Sequence, residues 1–275
     1  MGNSLRIVNY LSPGLPAALF EGVAKYLGRS LSLEVTLVHE TRFSGPPRGE
    51  PDPFSSGEAD AAFMCAPPFF WCLDRGAPAE LLGVAPVFDD PRAAGRPVYF
   101  ADVITRAGGA ATFADLRGGV WAYNDPCSLS GLYGLLGHLQ TLGEDETFFS
   151  KLIASGSHRA SLELVLSSRA DAATVDSNVL RLWLGAEPGL RRRLDVLTSW
   201  GPFPVQPLVM HSGLAPDLKR RLLELLLGLN VAELPELRAF GLTGFAQIDA
   251  RLYALEAERL RDLSVQERGS DRYAA

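Results

Sequence analysis

Two hydrophobic rhythms alternate along this chain: short uninterrupted apolar runs, and stretches in which apolar residues recur every three or four positions. The first rhythm is that of strands covered on both faces, the second that of helices with one buried stripe. Residues 5–11 read as a buried strand, 15–27 as a helix and 31–38 as a second strand, so the chain begins with a βαβ unit. Residues 41–57, rich in Gly, Pro and Ser, form a loop with the composition of a mobile segment. A short helix over 67–73 carries Phe69, Phe70 and Trp71, and 81–88 is strand-like. Residues 89–96 form a polar, proline-bearing crossover, 98–105 are extended, and 119–124 form a strand. Further on, 177–184 are helical, 194–199 form a strand and 201–207 are the return crossover. The leucine-rich stretches 214–229 and 245–260 are helical and are expected to pack on the first half of the chain. Residues 270–275 have little to bury and are expected to fray.

An internal echo supports two halves of similar build. Glu58-Ala59-Asp60-Ala61-Ala62-Phe63 and Arg169-Ala170-Asp171-Ala172-Ala173-Thr174 share Ala-Asp-Ala-Ala, each time before a short buried strand. In both, Asp marks a turn and the small residues allow close packing in a sheet covered on both faces.

Two helix starts carry the candidate chemistry. Asn124-Asp125-Pro126-Cys127-Ser128-Leu129-Ser130-Gly131 runs into Leu132, Leu135, Leu136, Leu139 and Leu142 at helical spacing, with Gly143 as the stop. Ser155-Gly156-Ser157-His158 opens a second helix, with Leu162, Val165 and Leu166 on one face, and adds an imidazole. The first turn of a helix holds unpaired N–H groups and the positive end of the macrodipole, so an oxyanion docks there without Lys or Arg. Ser128 and Ser130 either cap their own helix or face a ligand. Capping is the commoner role for one serine, and it is the pairing of two such starts that points to a small anionic ligand. Asp125 is expected to fix its turn through the backbone, and Asp171 and Asp176 to form turns, with Asp176 in reach of a ligand. His39, His138 and His211 have no such context and are assigned to surface or loop positions.

Composition sharpens this. The chain has 275 residues, 47% hydrophobic and 21% charged, enough for one large or two modest cores. A net charge of −6 with no basic block argues against nucleic acid as partner, so an anion must be met by local dipoles. Cys65, Cys72 and Cys127 cannot all pair and have no zinc-site spacing, so free thiols and no metal are expected. Residues 1–20 hold an apolar run broken by Asn9, Ser12, Pro13 and Pro16, unsuited to a signal peptide or a membrane span. Gly2 fits the start of a myristoylation signal, but Arg6 stands where Ser or Thr is needed. A complete chain is therefore expected in the cytoplasm, and one that has lost an export signal in the periplasm. No membrane insertion is expected.

With Tyr99-Phe100-Ala101-Asp102-Val103-Ile104, Phe113-Ala114-Asp115-Leu116-Arg117-Gly118 and residues 170–176 around them, the two helix starts resemble the phosphonate- and phosphite-type substrate-binding proteins of ABC transporters, which have the type II periplasmic binding protein fold. The match is strongest over residues 97–180. The resemblance implies an α/β fold of two lobes, each a mostly parallel sheet flanked by helices, joined by two crossovers. Residues 1–92 and 204–275 would form the first lobe and 93–203 the second. Ligand would lie in a cleft that closes by a hinge, with an ABC transporter permease as partner and no cofactor.

In that family the Ser-x-Ser helix start and the histidine contact the oxyanion, which maps onto Ser128, Ser130 and His158, with Cys127 and Leu129 in the same start. Tyr10, Phe70, Trp71 and Tyr99 are candidates for aromatic walls, Trp200 for the floor under a flat ligand, and Asp176 for a further contact. Phosphonate binders commonly carry Ser-Thr-Ser where this chain has Ser128-Leu129-Ser130. The lost hydroxyl removes a donor worth about 1 kcal/mol net and favours a less charged, bulkier or differently shaped ligand.

The function so implied is a solute-binding protein that closes on a small anion-bearing molecule and performs no chemistry. The rival is an enzyme on the same fold, similar to the cytosolic dehydratases of menaquinone precursor synthesis or using Cys127, His158 and Asp176 as nucleophile, base and orienter. A ligand sensor is the third reading.

Overall fold

The computed structural model describes residues 4–12 and 14–267. In chain order the elements are β1 (Ser4–Asn9), α1 (Ala17–Leu31), β2 (Glu34–His39), β3 (Ala61–Phe63), α2 (Ala66–Asp74), β4 (Ala79–Leu81), β5 (Val84–Phe88), β6 (Val98–Arg106), β7 (Val120–Tyr123), α3 (Gly134–Thr141), β8 (Lys151–Ala154), α4 (His158–Leu166), β9 (Ala172–Asp176), α5 (Ser177–Ala186), β10 (Leu194–Pro204), β11 (Leu208–His211), α6 (Pro216–Leu227), α7 (Pro235–Arg238), β12 (Leu242–Gln247) and α8 (Ala250–Glu267). They form two α/β units. One comprises the chain up to Val98 with Pro204–Ala250, the other Tyr99–Phe203 with the residues from Arg251 on.

The first unit has a sheet in the order β2-β1-β3-β11-β4 and a separate antiparallel pair β12-β5. β1 runs parallel to both β2 and β3, while β11 runs antiparallel to β3 and β4. In α1 the buried Leu19, Phe20, Val23, Leu27 and Leu31 recur at helical spacing, and the Phe20 ring meets Phe63 of β3 at 5.1 Å. The stretch 41–57 has no regular element, yet it is tied in place. Ser44 accepts from the Cys65 N–H at 2.8 Å, Asp52 accepts from Phe54 and Ser55, and Phe54 is buried.

The second unit repeats the plan in the order β10-β6-β9-β7-β8, with β7 parallel to both β8 and β9. The echo has a structural basis. In the first unit an oxygen of Asp60 accepts the Arg6 N–H at 2.8 Å, and in the second the same oxygen of Asp171 accepts the Val120 N–H at 2.7 Å. The next residues then pair in the same way, Ile7 with Ala61 and Trp121 with Ala172. Each aspartate thus fixes the register of a parallel strand pair.

The core of the second unit is aromatic. Trp121, Leu135, Leu139, Phe148 and Phe149 are buried together, with Phe113 and Trp200 packed against them. Burying each such side chain contributes on the order of 1.5–3 kcal/mol.

Several expectations are corrected. Residues 242–247 form strand β12 and the last helix begins only at Ala250, where helical periodicity suggested one helix from 245. That helix groups with the second unit rather than the first. Arg259 donates to the Tyr133 carbonyl at 2.9 Å, lies over the Phe203 ring at 5.4 Å and pairs with Glu256. Gly137 of α3 leaves the room, since a Cβ there would meet the Arg259 guanidinium. Strands β8 and β11 were not foreseen, and β10 extends through residues 201–204 into the expected crossover. His138 is no surface histidine; it stacks on Trp200 at 4.6 Å and meets Phe113 edge-on at 4.6 Å. Residues 270–275 lie outside the described residues. Within the described residues no helix is long and apolar enough to cross a membrane.

Candidate functional site

Because β7, β8 and β9 run parallel, their C-terminal ends share one edge of the second sheet, and each leads directly into a helix start. Open α/β sheets bind ligands at this edge, where first-turn N–H groups and helix dipoles converge.

After β7, Asp125 builds the turn. One of its oxygens accepts the Cys127 N–H at 2.8 Å and the other the Asn124 side-chain amide at 2.6 Å. The helix then opens with a π-helical turn, Leu129–Tyr133, in which the Ser128 carbonyl accepts from both Leu132 and Tyr133. Such wide turns recur at functional sites. Ser128 caps the turn, its hydroxyl oxygen accepting the Gly131 N–H at 3.0 Å, which leaves its own proton free to be donated. Ser130 is 1% exposed in the same turn. Gly131 is tightly enclosed: a Cβ there would run into Oδ1 of Asn124, which would have to move.

After β8, Gly156 adopts φ +89° and turns its N–H onto the Asn124 carbonyl at 2.8 Å, so the second start is hydrogen-bonded to the first. Ser155 is committed to Tyr123, Ser157 and Ser161, and Ser157 caps α4 through the Ala160 N–H at 3.1 Å. What this string offers a ligand is His158, whose Nδ1 is buried without a hydrogen-bond partner. Burial pushes the imidazole down to about 4, and the backbone of Thr174, which favours the charged ring, offsets only part of this. The ring is therefore neutral at pH 7. Arg159, the cation beside it, is paired with Glu163 and Glu187.

After β9, Asp176 caps α5 by accepting the Asn178 N–H at 2.7 Å. Both polar atoms of the Asn178 side chain are buried without partners. The two starts identified from sequence are thus joined by a third. Its signal was the polar Asp176-Ser177-Asn178 at the end of the second echo strand.

Of the remaining candidates, two lie in the first start and the others outside the three starts. Trp200 packs against the aromatic core, stacked on Trp121 at 6.0 Å and on His138. Tyr99 is buried in the second unit with its ring 6.0 Å from Phe203. Cys127 and Leu129 are buried within the first start. In the first unit, Tyr10 follows β1 and lines a cavity of about 420 Å³ with Phe43, Glu40 and Glu58. Burial, reinforced by the Glu40 carboxylate, raises its phenol above the ordinary range. Phe70 and Trp71 are buried in α2 and do not line that cavity. Among the described residues no group of side chains has the makings of a metal site.

Residues 7–253 match the family described as ABC transporter, phosphonate, periplasmic substrate-binding protein. The chain belongs to this family. Structures of similar fold include the methylphosphonate complex of PhnD1 from Prochlorococcus marinus, 15% identical with a TM-score of 0.78 over 95% of this chain and 98% of that one. A binding protein of an ABC phosphonate transporter from Pseudomonas aeruginosa is 16% identical, with a TM-score of 0.71 over 98% and 99% of the two chains. The periplasmic aliphatic sulphonate binding protein SsuA from Escherichia coli is 14% identical, with a TM-score of 0.63 over 100% and 90%. The two-lobed fold of type II periplasmic binding proteins is therefore that of this phosphonate-family chain, and its role is solute binding. The enzyme alternative is not favoured.

Proposed function

We propose that the second unit binds the phosphonate end of a small organic molecule at its three helix starts, as the recognition step of an ABC importer outside the cytoplasmic membrane. Ser128 and Ser130 donate their hydroxyl protons to two phosphonate oxygens, and the third lies against His158. The observation that carries this reading is the unpartnered Nδ1 of His158, buried at the sheet edge where two capped helix starts are hydrogen-bonded together. The neutral ring gives its proton to the Thr174 backbone, so Nδ1 is a buried acceptor without a partner, and the P–OH of a singly ionised phosphonate satisfies it by donating. Neutral donors and dipoles, rather than Lys or Arg, then hold the charge, which suits a ligand that must later be released.

Isothermal titration calorimetry with methylphosphonate, phosphate, phosphite and methanesulfonate tests the proposal. Methylphosphonate should bind, and Ser130→Ala and His158→Ala should each weaken it at least tenfold while circular dichroism is unchanged. Full affinity in both variants would place the ligand elsewhere.

A further inference from the structure

The turn that carries Ser128 and Ser130 is held from outside its own helix. Two of its N–H groups, those of Tyr133 and Gly134, donate five residues back, to the carbonyls of Ser128 and Leu129, which makes it a π-helical turn. Such turns are rare, and they persist where a group from elsewhere inserts into the helical ladder. Two groups do so here. The Thr174 hydroxyl donates to the Gly131 carbonyl at 2.7 Å, and Nη1 of Arg259 donates to the Tyr133 carbonyl at 2.9 Å.

Arg259 is fitted to that carbonyl. It stands in α8, 126 residues further along the chain than Tyr133. Its Nε donates to Glu256 one turn earlier at 2.9 Å, the Glu256 side chain is 7% exposed, and the Phe203 ring lies 5.4 Å from the guanidinium. An α-helix brings the N–H of the residue four places on to each carbonyl, and four places after Tyr133 stands Gly137, where a Cβ would collide with the guanidinium. A fork pinned by a buried carboxylate and admitted through a glycine gap is a directed donor, unlike an exposed ion pair, which contributes little.

Building on the phosphonate-binding role proposed above, we infer that Arg259 is a positioning residue for the anion site: it holds the π register of Leu129–Tyr133 and thereby aims the Ser130 hydroxyl. Ser130 lies inside the turn and Ser128 caps it. Closing the turn to α spacing absorbs its one extra residue, which swings the residues before it by up to about 100° around the helix axis, the angle between successive residues. The Ser130 hydroxyl then leaves the sheet edge it shares with His158. His158 stays, because its helix start follows β8, and the pairing of β8 with β7 does not involve the turn.

Calorimetry with methylphosphonate and a crystal structure of the unliganded variant test this. Arg259→Met is made together with Glu256→Gln, so that the donor is lost and no buried carboxylate is left unpaired. Affinity should fall at least tenfold. In a Ser130→Ala background the same pair of substitutions should cost less than twofold, because Arg259 acts through Ser130; a general loss of stability would cost the same in both backgrounds. In the crystal structure the Tyr133 N–H should have moved from the Ser128 carbonyl to that of Leu129. Arg259→Lys keeps the charge but cannot serve Glu256 and Tyr133 together, so it should lose at least threefold, and it takes the place of the methionine variant if that one does not fold. Unchanged affinity, equal losses with and without the Ser130 hydroxyl, or a variant structure that keeps the π turn overturns the inference while leaving phosphonate binding intact. Failure of the wild-type protein to bind methylphosphonate overturns both readings.

Discussion

The hydroxyl of Thr174 donates to the carbonyl of Gly131 at 2.7 Å, and the backbone of the same threonine acts on the His158 imidazole. One buried residue in the middle of the sheet therefore ties the π-helical turn after β7 to the start of α4. The anion-binding groups come from different elements, but their spacing is set by strand pairing rather than by loops. That is the kind of preorganisation that lets weak neutral donors hold an anion.

Gly131 is the tightest point of this arrangement. Gly131→Ala would drive a methyl group into the Asn124 side chain. The expected cost is about 1–3 kcal/mol of stability together with at least a tenfold loss of methylphosphonate affinity, measured by urea unfolding and calorimetry.

The pH dependence of stability follows from His158. In the folded protein its pKa is depressed to about 4, against the ordinary value near 6.5. The unfolded chain therefore takes up this proton first as pH falls. The stabilisation is complete above about pH 6.5 and is lost progressively down to about pH 4. It amounts to roughly 3 kcal/mol over that window. Urea midpoints measured from pH 7 to pH 4 should fall more steeply in the wild-type protein than in His158→Gln. Burial lowers the His138 pKa as well, so part of the slope should remain in that variant.

Trp200 separates packing from binding. Its ring lies against Phe113, Trp121 and His138, so Trp200→Ala should lower stability by about 2–4 kcal/mol. Methylphosphonate affinity, measured below the new Tm, should change less than twofold. A large loss of affinity with little loss of stability would restore the ligand-floor role.

Asp171 holds the register of the strands that carry two of the three starts. Asp171→Ala removes the acceptor for the Val120 N–H and should cost about 1 kcal/mol. Asp60→Ala should cost a similar amount in the first unit, and because the two share no partner the double variant should be additive within a few tenths of a kcal/mol.

Much of this was legible in the chain. The repeated Ala-Asp-Ala-Ala marked equivalent strand pairs in both units, and serine and glycine before helical periodicity marked the starts at Ser128 and Ser157. The capping role of Ser128 and the turn built by Asp125 were likewise visible as local chemistry. What escaped reading depends on distant residues. Trp200, His138 and Phe113 come together only in the folded core, so neither the stacking nor the burial of His138 has a local signature. Phe245 lies at helical spacing from the leucines that follow, yet it pairs with Pro86 of β5 because tertiary pairing overrides a short periodic pattern. Asn178 looked like an ordinary polar residue of a first turn, and only its complete burial reveals an amide without a partner.

The most direct test is a titration of isotope-labelled protein with methylphosphonate followed by amide chemical shifts. The largest changes should cluster on residues 128–131, 156–159 and 176–178, with the His158 ring signals moving at the same ligand concentration. Saturable shifts confined to other residues, with all three helix starts unmoved, would contradict the account.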